Sequence, residues 1–327
     1  MKNVFFIQKL LFFFMMMLSI LFSASSNSFL GIWMGLEMNL SAIIPIFLMN
    51  QNGKTEKSVL IFFLIQSISS IFMFLSFFMS MALFNLMKML YTIMFLSIFL
   101  KMGMFPFYFW VPKVMEGLSW MNCFLLSTVQ KIIPLLLIFT LNMNKLIIFL
   151  SVFNMIICSM NGINQFSLRK IMTFSSLNHL SIMILTIFFS KKLLKLYFVV
   201  YSIMTFMAMF FFKKKNMNYI FQSFFFNMSK ISIFLLLVLM LSMSGTPPFI
   251  GFFPKMMIVL KALEMNLFIS VNMILLSNVM TTFFYLRICF SSLFLKSSFM
   301  KTTNFYKKDE EGIFILLTLI SPFILMF

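Results

Sequence analysis

Residues 103–113 read G-M-F-P-F-Y-F-W-V-P-K, and residues 245–255 read G-T-P-P-F-I-G-F-F-P-K. The two stretches share the pattern G-x-x-P-F-x-x-[WF]-x-P-K and lie 142 positions apart. Proline lacks an N–H and disfavours helix at the residue before it, so each stretch should interrupt a helix that contains it. Both fall inside unusually long apolar runs, residues 86–112 and 231–262. The repeat therefore predicts two broken helices at matching places in two halves of the chain.

The chain as a whole is too apolar to form a water-soluble domain. Hydrophobic residues make up 62% of its 327 residues, and its mean hydropathy is +1.06. A soluble domain needs a mostly polar surface, whereas an apolar run of about 20 residues crosses the hydrocarbon core as a helix. The composition predicts an all-α, polytopic transmembrane helix bundle. Its eleven predicted spans are 4–22, 28–49, 58–80, 86–112, 120–141, 146–163, 170–190, 194–212, 231–262, 267–291 and 312–327.

The positions of the two broken helices predict an inverted repeat. Five spans separate the fourth from the ninth, so the halves, about 1–142 and 143–292, should have opposite topology within one integral membrane domain. Paired interrupted helices in inverted halves mark a midplane ion site in transporters, because the freed backbone groups face a cavity. The alternative is that the prolines only kink two helices. The residues expected to form the breaks are Gly103, Pro106, Pro112, Gly245, Pro247, Pro248 and Pro254.

The net charge of +18 indicates orientation in the membrane, since the lysines cluster between the apolar runs. We therefore expect no nucleic-acid partner, and we predict that the N-terminus faces the inner compartment. The first span lacks a small-residue cleavage pattern, so it should be retained and not removed as a signal peptide. Phenylalanine (51) and methionine (36) are abundant and glycine (9) is scarce, as A+T-rich codons produce. This usage indicates an organelle genome.

The sequence offers no redox or metal centre. Cys123, Cys158 and Cys289 fall in separate spans without a paired spacing, and a single histidine is present. A glycine-rich phosphate loop and a dinucleotide fingerprint are both missing. We expect no metal and no cofactor bound by this chain.

Five ionisable residues lie near the middle of separate apolar stretches: Glu37, Lys101, Lys131, His179 and Lys255. A charge at the centre of a bilayer costs roughly 2.5 to 3.5 kcal/mol on insertion scales, so a series of them indicates a function. The pattern is typical of a proton path, and we assign these five residues to a proton relay. Histidine suits such a relay because it titrates near neutrality.

Each of these residues also has a structural interpretation. Glu37 and Lys101 could form a static ion pair that only fixes two helices. Lys131 could be a structural lysine, and His179 a hydrogen-bonded packing residue. Lys261 and Glu264 lie three positions apart at a span end, where a solvated pair is expected.

Several blocks of the sequence resemble one known family. They are W-M-G-L-E-M-N at 33–39, L-K-M-G at 100–103 with P-F-Y-F-W-V-P at 106–112, M-E-G-L-S-W-M-N at 115–122, Q-K-I-I-P at 130–134, N-Q-F-S-L-R-K-I-M-T-F-S-S-L-N-H at 164–179, and the second copy of the repeat. In order and spacing they closely resemble the family of mitochondrial NADH:ubiquinone oxidoreductase chain 2. The resemblance covers nearly the whole chain.

The resemblance implies a core subunit in the membrane arm of respiratory complex I, similar to cation/proton antiporter subunits. It implies a charge pair of Glu37 with Lys101, a central Lys131, and Lys255 on the second broken helix. It places NADH, FMN, iron–sulfur clusters and ubiquinone in partner subunits. It also implies neighbouring antiporter-like chains and membrane lipids such as cardiolipin as partners, and a mitochondrial inner-membrane location with the N-terminus on the matrix side.

The sequence departs from the family pattern at three places. Tyr108 stands where the family commonly has a histidine, Met104 and Phe105 replace small residues, and Ser181 replaces a glycine. The first departure removes a proton step assigned to that histidine.

Three functional hypotheses follow from the sequence. The leading one is proton translocation coupled to quinone reduction, with no redox centre in this chain. A stand-alone cation/proton antiporter is the runner-up, and a purely structural spacer in a larger assembly is the third. A spacer should tolerate loss of Lys131.

Overall fold

The computed structural model describes residues 2–26, 28–49, 53–82, 87–141, 145–222 and 230–294. The chain divides into two compact units, Met1–Leu150 and Ser151–Phe327. Helices account for nearly all of the described residues, and the only β pairing among them is an isolated bridge between Ser167 and Tyr219.

The described residues of the first unit form helices almost throughout, and the last of these helices ends beyond Leu150. The helices are α1 (Lys2–Ser25), α2 (Phe29–Leu48), α3 (Gly53–Ala82), α4 (Met87–Met102), α5 (Trp110–Gly117), α6 (Trp120–Ser127), α7 (Val129–Thr140) and α8 (Lys145–Ile163). The side chain of Ser28 caps α2 by accepting a hydrogen bond from the N–H of Gly31 at 3.2 Å. α3 carries a serine-rich buried face, on which Ser69 and Ser76 donate to the carbonyl oxygens three residues earlier. Such local bonds satisfy hydroxyls in an apolar setting.

The second unit places one almost wholly buried helix at its centre. Its helices are α9 (Leu168–Phe189), α10 (Lys191–Lys214), α11 (Lys230–Ser244), α12 (Phe252–Glu264) and α13 (Phe268–Phe294). α9 is buried along nearly its full length, and α10, α12 and α13 pack against it. A helix that is buried on all sides can keep polar groups such as His179 away from lipid.

Ten of the eleven predicted spans coincide with helices, and the span at 312–327 lies outside the described residues. Seven helical segments of the described part are long and apolar enough to cross a membrane, when α6 and α7 are counted together as Trp120–Thr140, and three shorter apolar helices accompany them. The fourth and ninth predicted spans are each divided in two, as the repeat predicts. The span at 120–141 is also divided, at Thr128, which we did not predict.

Candidate functional site

The first break separates α4 from α5 and depends on Gly103. Its φ is +70°, a conformation that glycine adopts without steric cost. A Cβ atom at this position would lie 2.1 Å from Cγ2 of Val111, so the site also lacks room for a side chain. The peptide bond between Phe105 and Pro106 is cis.

The second break separates α11 from α12 and has the same backbone form. Gly245 has a φ of +75°, and the peptide bond between Pro247 and Pro248 is cis. A Cβ atom on Gly245 would lie 2.7 Å from Cδ of Lys255, which shows how closely this lysine approaches the break.

The backbone hydrogen bonds of the two breaks also repeat. The N–H of Met104 donates to the carbonyl of Phe99 at 2.9 Å, and that of Thr246 donates to Leu241 at 3.4 Å. The N–H of Phe107 donates to the carbonyl of Met104 at 2.6 Å. At the second break, the N–H of Phe249 donates to the carbonyl of Thr246 at 3.0 Å. The sequence repeat is thus a repeat of structure.

Both breaks end earlier than the sequence predicts. Helix resumes at Trp110 and at Phe252, so Pro112 and Pro254 lie in the first turns of α5 and α12. The first N–H groups of a helix have no intrahelical partner, so a proline there removes no helical hydrogen bond.

One carbonyl oxygen at the second break, together with a side-chain amide, binds Lys255. Its Nζ atom donates to the carbonyl of Ser244 at 2.7 Å and to Oδ1 of Asn278 at 2.9 Å. The residue is only 4% exposed. The ammonium group therefore lies at the C-terminal end of α11, where the helix dipole favours a positive charge.

The carbonyls freed at the first break bind neutral donors instead. Nε1 of Trp110 donates to the carbonyl of Leu100 at 3.1 Å, and Nε2 of Gln66 donates to that of Lys101 at 3.0 Å. Lys113, the counterpart of Lys255 in the repeat, is exposed. Among the described residues of the first unit, the buried lysine beside this break is Lys101, near the end of α4 on the other side of the break.

Glu37 and Lys101 face each other across α2 and α4. Oε1 of Glu37 lies 3.7 Å from Nζ of Lys101, and the two side chains are 35% and 2% exposed. That carboxylate oxygen is buried and accepts no hydrogen bond from the described residues. The pair is a single ionic contact without the bidentate geometry that makes such pairs strong.

Lys131 lies on α7 and is 3% exposed. Its neighbour Gln130 donates from Nε2 to Oδ1 of Asn39 at 3.1 Å. Asn39 follows Glu37 by two residues on α2, so this bond joins the helix of the acidic residue to the helix of the central lysine. The sequence motifs contain both amides, but we had assigned neither of them a role.

His179 and Lys255 line one cavity in the second unit. Tyr197 and Tyr201 on α10 also line this cavity. Nδ1 of His179 lies 2.7 Å from the hydroxyl oxygen of Tyr197, and the ring of Tyr201 lies 5.1 Å from the imidazole. The sequence analysis assigned no role to these two tyrosines, although their spacing of four residues places them on one helix face.

The remaining assigned residues lie outside these clusters. Lys261 and Glu264 form an exposed pair at 2.6 Å, as expected. Tyr108 is partly buried and packs on Phe109. The hydroxyl of Ser181 on α9 accepts a hydrogen bond of 2.6 Å from Nδ2 of Asn154 on α8, a contact that a glycine side chain could not make. Among the described residues no group of three His, Cys, Asp or Glu side chains could hold a metal ion.

Comparison with known sequences identifies relatives over most of the chain. A family model described as NADH:quinone oxidoreductase/Mrp antiporter, TM, matches residues 26–283. The NADH-ubiquinone oxidoreductase chain 2 of Anopheles gambiae is 40% identical over 303 residues, which cover 88% of this chain and 87% of that relative. The protein of the same name from Bos taurus is 33% identical over 282 residues, or 82% and 80% of the two chains.

Solved structures share the fold at low sequence identity. A chain of respiratory complex I from Thermus thermophilus superposes with a TM-score of 0.78 and 17% identity, covering 87% of this chain and 70% of that one. A chain of the Mrp complex from Dietzia sp. also gives a TM-score of 0.78, with 11% identity and coverage of 86% and 60%.

Proposed function

The chain belongs to the family of NADH-ubiquinone oxidoreductase chain 2, and on this premise we propose that it moves protons across the mitochondrial inner membrane as quinone is reduced elsewhere in the complex. The proposed relay consists of Glu37, Lys101, Lys131, His179 and Lys255. We further propose that the two halves have inverted topology, with the N-terminus on the matrix side.

One observation carries this proposal: three lysines among the described residues of this apolar helical protein are buried. Lys101, Lys131 and Lys255 are 6%, 3% and 4% exposed. An ionisable residue inside the membrane is costly and is retained where ions or protons pass. Two of the three lie beside the broken helices, where backbone carbonyls lack helical partners.

In the first unit, the contact between Glu37 and Lys101 can respond to charge. A carboxylate at 3.7 Å stabilises the ammonium form of Lys101. Protonation or displacement of Glu37 removes that attraction and favours release of a proton from the lysine. The bond between Asn39 and Gln130 fixes α2 against α7, so a change at Glu37 can act on Lys131.

In the second unit, His179 and Lys255 can exchange protons through their shared cavity. Lys255 is held by two neutral oxygens, of Ser244 and Asn278. These dipoles stabilise the charged form less than a carboxylate would, so the lysine can both lose and regain a proton. We propose that quinone reduction elsewhere in the complex biases the Glu37–Lys101 pair, and that this bias shifts the proton affinity at Lys131 and then toward His179 and Lys255.

We propose that this chain contains no redox centre and that NADH, FMN, iron–sulfur clusters and ubiquinone bind partner subunits. The lysine-rich loops suit contact with anionic lipids such as cardiolipin. A stand-alone antiporter is less well supported, because the similarity to the Mrp chain concerns the fold at 11% identity, whereas relatives at 33–40% identity are named as oxidoreductase subunits.

Two measurements test the proposal. On a native gel of solubilised membranes, this chain should migrate with NADH-oxidising activity, and migration without that activity would favour the stand-alone antiporter. Lys131→Met keeps the side-chain bulk and deletes the charge. We expect this variant to leave the complex assembled and to lower proton pumping and coupled quinone reduction. Full pumping at normal complex levels would favour the structural spacer.

A further inference from the structure

Both arginines of the chain hold the region where α8 ends and α9 begins. Nη2 of Arg169 donates to Oδ1 of Asn218 at 3.0 Å. The guanidinium group of Arg287 on α13 donates to the carbonyl oxygens of Ile163 and Gln165. A guanidinium binds two acceptors at once in a planar fork, which a lysine ammonium does not. Lysine supplies the other basic charges of the sequence, so the placement of both arginines here indicates a region that must be rigid.

The turn between α8 and α9 is also paired with the segment that follows α10. The N–H of Ile220 donates to the carbonyl oxygen of Phe166 at 3.1 Å, beside the isolated β bridge that joins the two segments. These backbone contacts fix the two segments against each other. We call residues 164–167 and 216–222 together the paired turns. They lie at the end of the second unit where α9 begins and α10 ends.

Three aromatic side chains of the paired turns are exposed, although their backbone is held in place. Phe166, Tyr219 and Phe221 are 56%, 50% and 52% exposed. The rings of Phe166 and Phe221 stack with 5.7 Å between their centroids, and Cζ of Arg287 lies 5.6 Å from the centroid of Phe166. Side chains that are already ordered lose little entropy on binding, and aromatic residues and arginine are enriched in protein interfaces. The paired turns are therefore preorganised for contact with a partner.

Basic side chains lie at the same end of the second unit. They occupy the last turn of α10 and the first turn of α9, at Lys213, Lys214, Arg169 and Lys170. Lys213 and Lys214 are exposed. The N–H of Asn216 donates to the carbonyl oxygen of Lys213 at 3.2 Å, so the chain passes from these lysines directly into the paired turns. This end of the unit therefore presents positive charge beside the exposed rings.

No carboxylate between positions 151 and 294 balances this charge. Glu264 is the only acidic residue in that range, and it pairs with Lys261 at 2.6 Å. The pair lies just before α13 begins at Phe268, whereas Arg287 lies 19 residues later on that helix, or about 28 Å away. The paired turns and their lysines are thus complementary to an acidic partner.

These features favour a polypeptide over a lipid headgroup at this surface. Arginine forks are the groups best suited to a phosphate, yet both arginines already donate to groups of this chain. Tryptophan and tyrosine are the aromatic residues enriched at lipid headgroups, whereas two of the three exposed rings here belong to phenylalanine. A polypeptide can cover these rings with an apolar side chain and offer carboxylates to the lysines.

We propose that the exposed rings of Phe166, Tyr219 and Phe221, with Lys213 and Lys214 at their edge, are a docking site for an acidic segment of another subunit of the complex. Apolar side chains of that segment cover the stacked rings, and its carboxylates pair with the lysines. The two arginines keep the surface in shape. This inference rests on membership of a multisubunit complex and does not depend on the proton relay.

Zero-length coupling of amines to carboxylates in the purified complex tests the charge pairing, because it joins only groups in direct contact. We expect Lys213 or Lys214 to be linked to an aspartate or glutamate of another subunit, identified by mass spectrometry. The exposed pair of Lys261 and Glu264, at 2.6 Å, should link in the same sample and is the control. Links of Lys213 and Lys214 to this chain alone, or no such links beside the control link, would overturn the proposal.

Two substitutions test whether the surface holds the linked subunit, measured as the amount retained per complex after washes at increasing salt. Phe221→Ala removes one ring of the stacked pair, and we expect about tenfold weaker retention, as for an interface anchor. Lys213→Gln removes one charge, so release should begin at lower salt. Phe268→Ala and Lys192→Gln make the same changes at exposed positions of the opposite end and are the matched controls.

Release at the same salt from all four variants would overturn the proposal. Because the readout is subunit retention and not pumping, a failed proton relay would leave this result unchanged. If Phe221→Ala does not assemble, a high-resolution map of the unmodified complex decides the question. Polypeptide density over Phe166 and Phe221 from another subunit is expected, and a phospholipid headgroup or bulk solvent there would overturn the proposal.

Discussion

The Nζ atom of Lys255 donates a hydrogen bond of 2.7 Å to the carbonyl oxygen of Ser244, the residue at which α11 ends. The break that follows frees this carbonyl, and the lysine of the same repeat occupies it. No carboxylate of the described residues pairs with Lys255, whereas Lys101 faces Glu37. The two units therefore compensate a buried lysine charge differently, by dipoles in one and by an opposite charge in the other.

The break at Gly245 should tolerate no side chain. Gly245→Ala forces a residue with a Cβ to a φ of +75°, which costs about 1–2 kcal/mol, and places that atom 2.7 Å from Lys255 Cδ. We expect the complex to be less stable to heat and to pump fewer protons, because the added Cβ atom displaces Lys255 from the carbonyl oxygen of Ser244. Gly53→Ala, where a Cβ meets nothing within 4 Å, is the matched control. Equal behaviour of the two variants would show that the break does not position the lysine.

Asn278 should support the charged form of Lys255. Asn278→Leu keeps a similar volume but removes the oxygen that accepts at 2.9 Å. A hydrogen bond to a charged group contributes about 1.5–3 kcal/mol, which corresponds to about tenfold or more in proton binding. We expect proton pumping to fall while the complex assembles. Pumping at the unmodified level would mean that the carbonyl of Ser244 suffices.

Glu37 and Lys101 should be coupled in stability. Deleting one partner of a buried ion pair usually costs about 3–5 kcal/mol, but the Glu37 side chain is 35% exposed, so we expect a coupling of about 1 kcal/mol. In thermal unfolding of the complex, Glu37→Gln combined with Lys101→Met should cost less than the two single changes added together. Additive losses would indicate that the two charges act independently.

The two helix breaks could be predicted from the sequence, because they depend on the backbone conformations that glycine and proline allow. Gly103 and Gly245 interrupt their helices because the glycine-proline pattern leaves the backbone few other choices. The division at Thr128 has no such signal, because no glycine or proline stands at or beside it and Pro134 lies inside the continuous helix α7.

Contacts between helices could not be predicted in the same way. The bond of Lys255 to Asn278 and that of His179 to Tyr197 join residues on different helices. They depend on how those helices rotate and pack, which no local pattern encodes. The repeat itself misleads on one point, since it assigns equivalent positions to Lys113 and Lys255, yet only Lys255 is buried.

That difference provides the most direct test of the central claim, that buried lysines beside the breaks carry protons. Lys255→Met and Lys113→Met make the same chemical change at equivalent positions of the repeat, one buried and one exposed. Protons pumped per NADH oxidised should be measured for both variants in vesicles with equal amounts of assembled complex. The account predicts a lower ratio for Lys255→Met and an unchanged ratio for Lys113→Met. An unchanged ratio for Lys255→Met, or equal losses in the two variants, would contradict it.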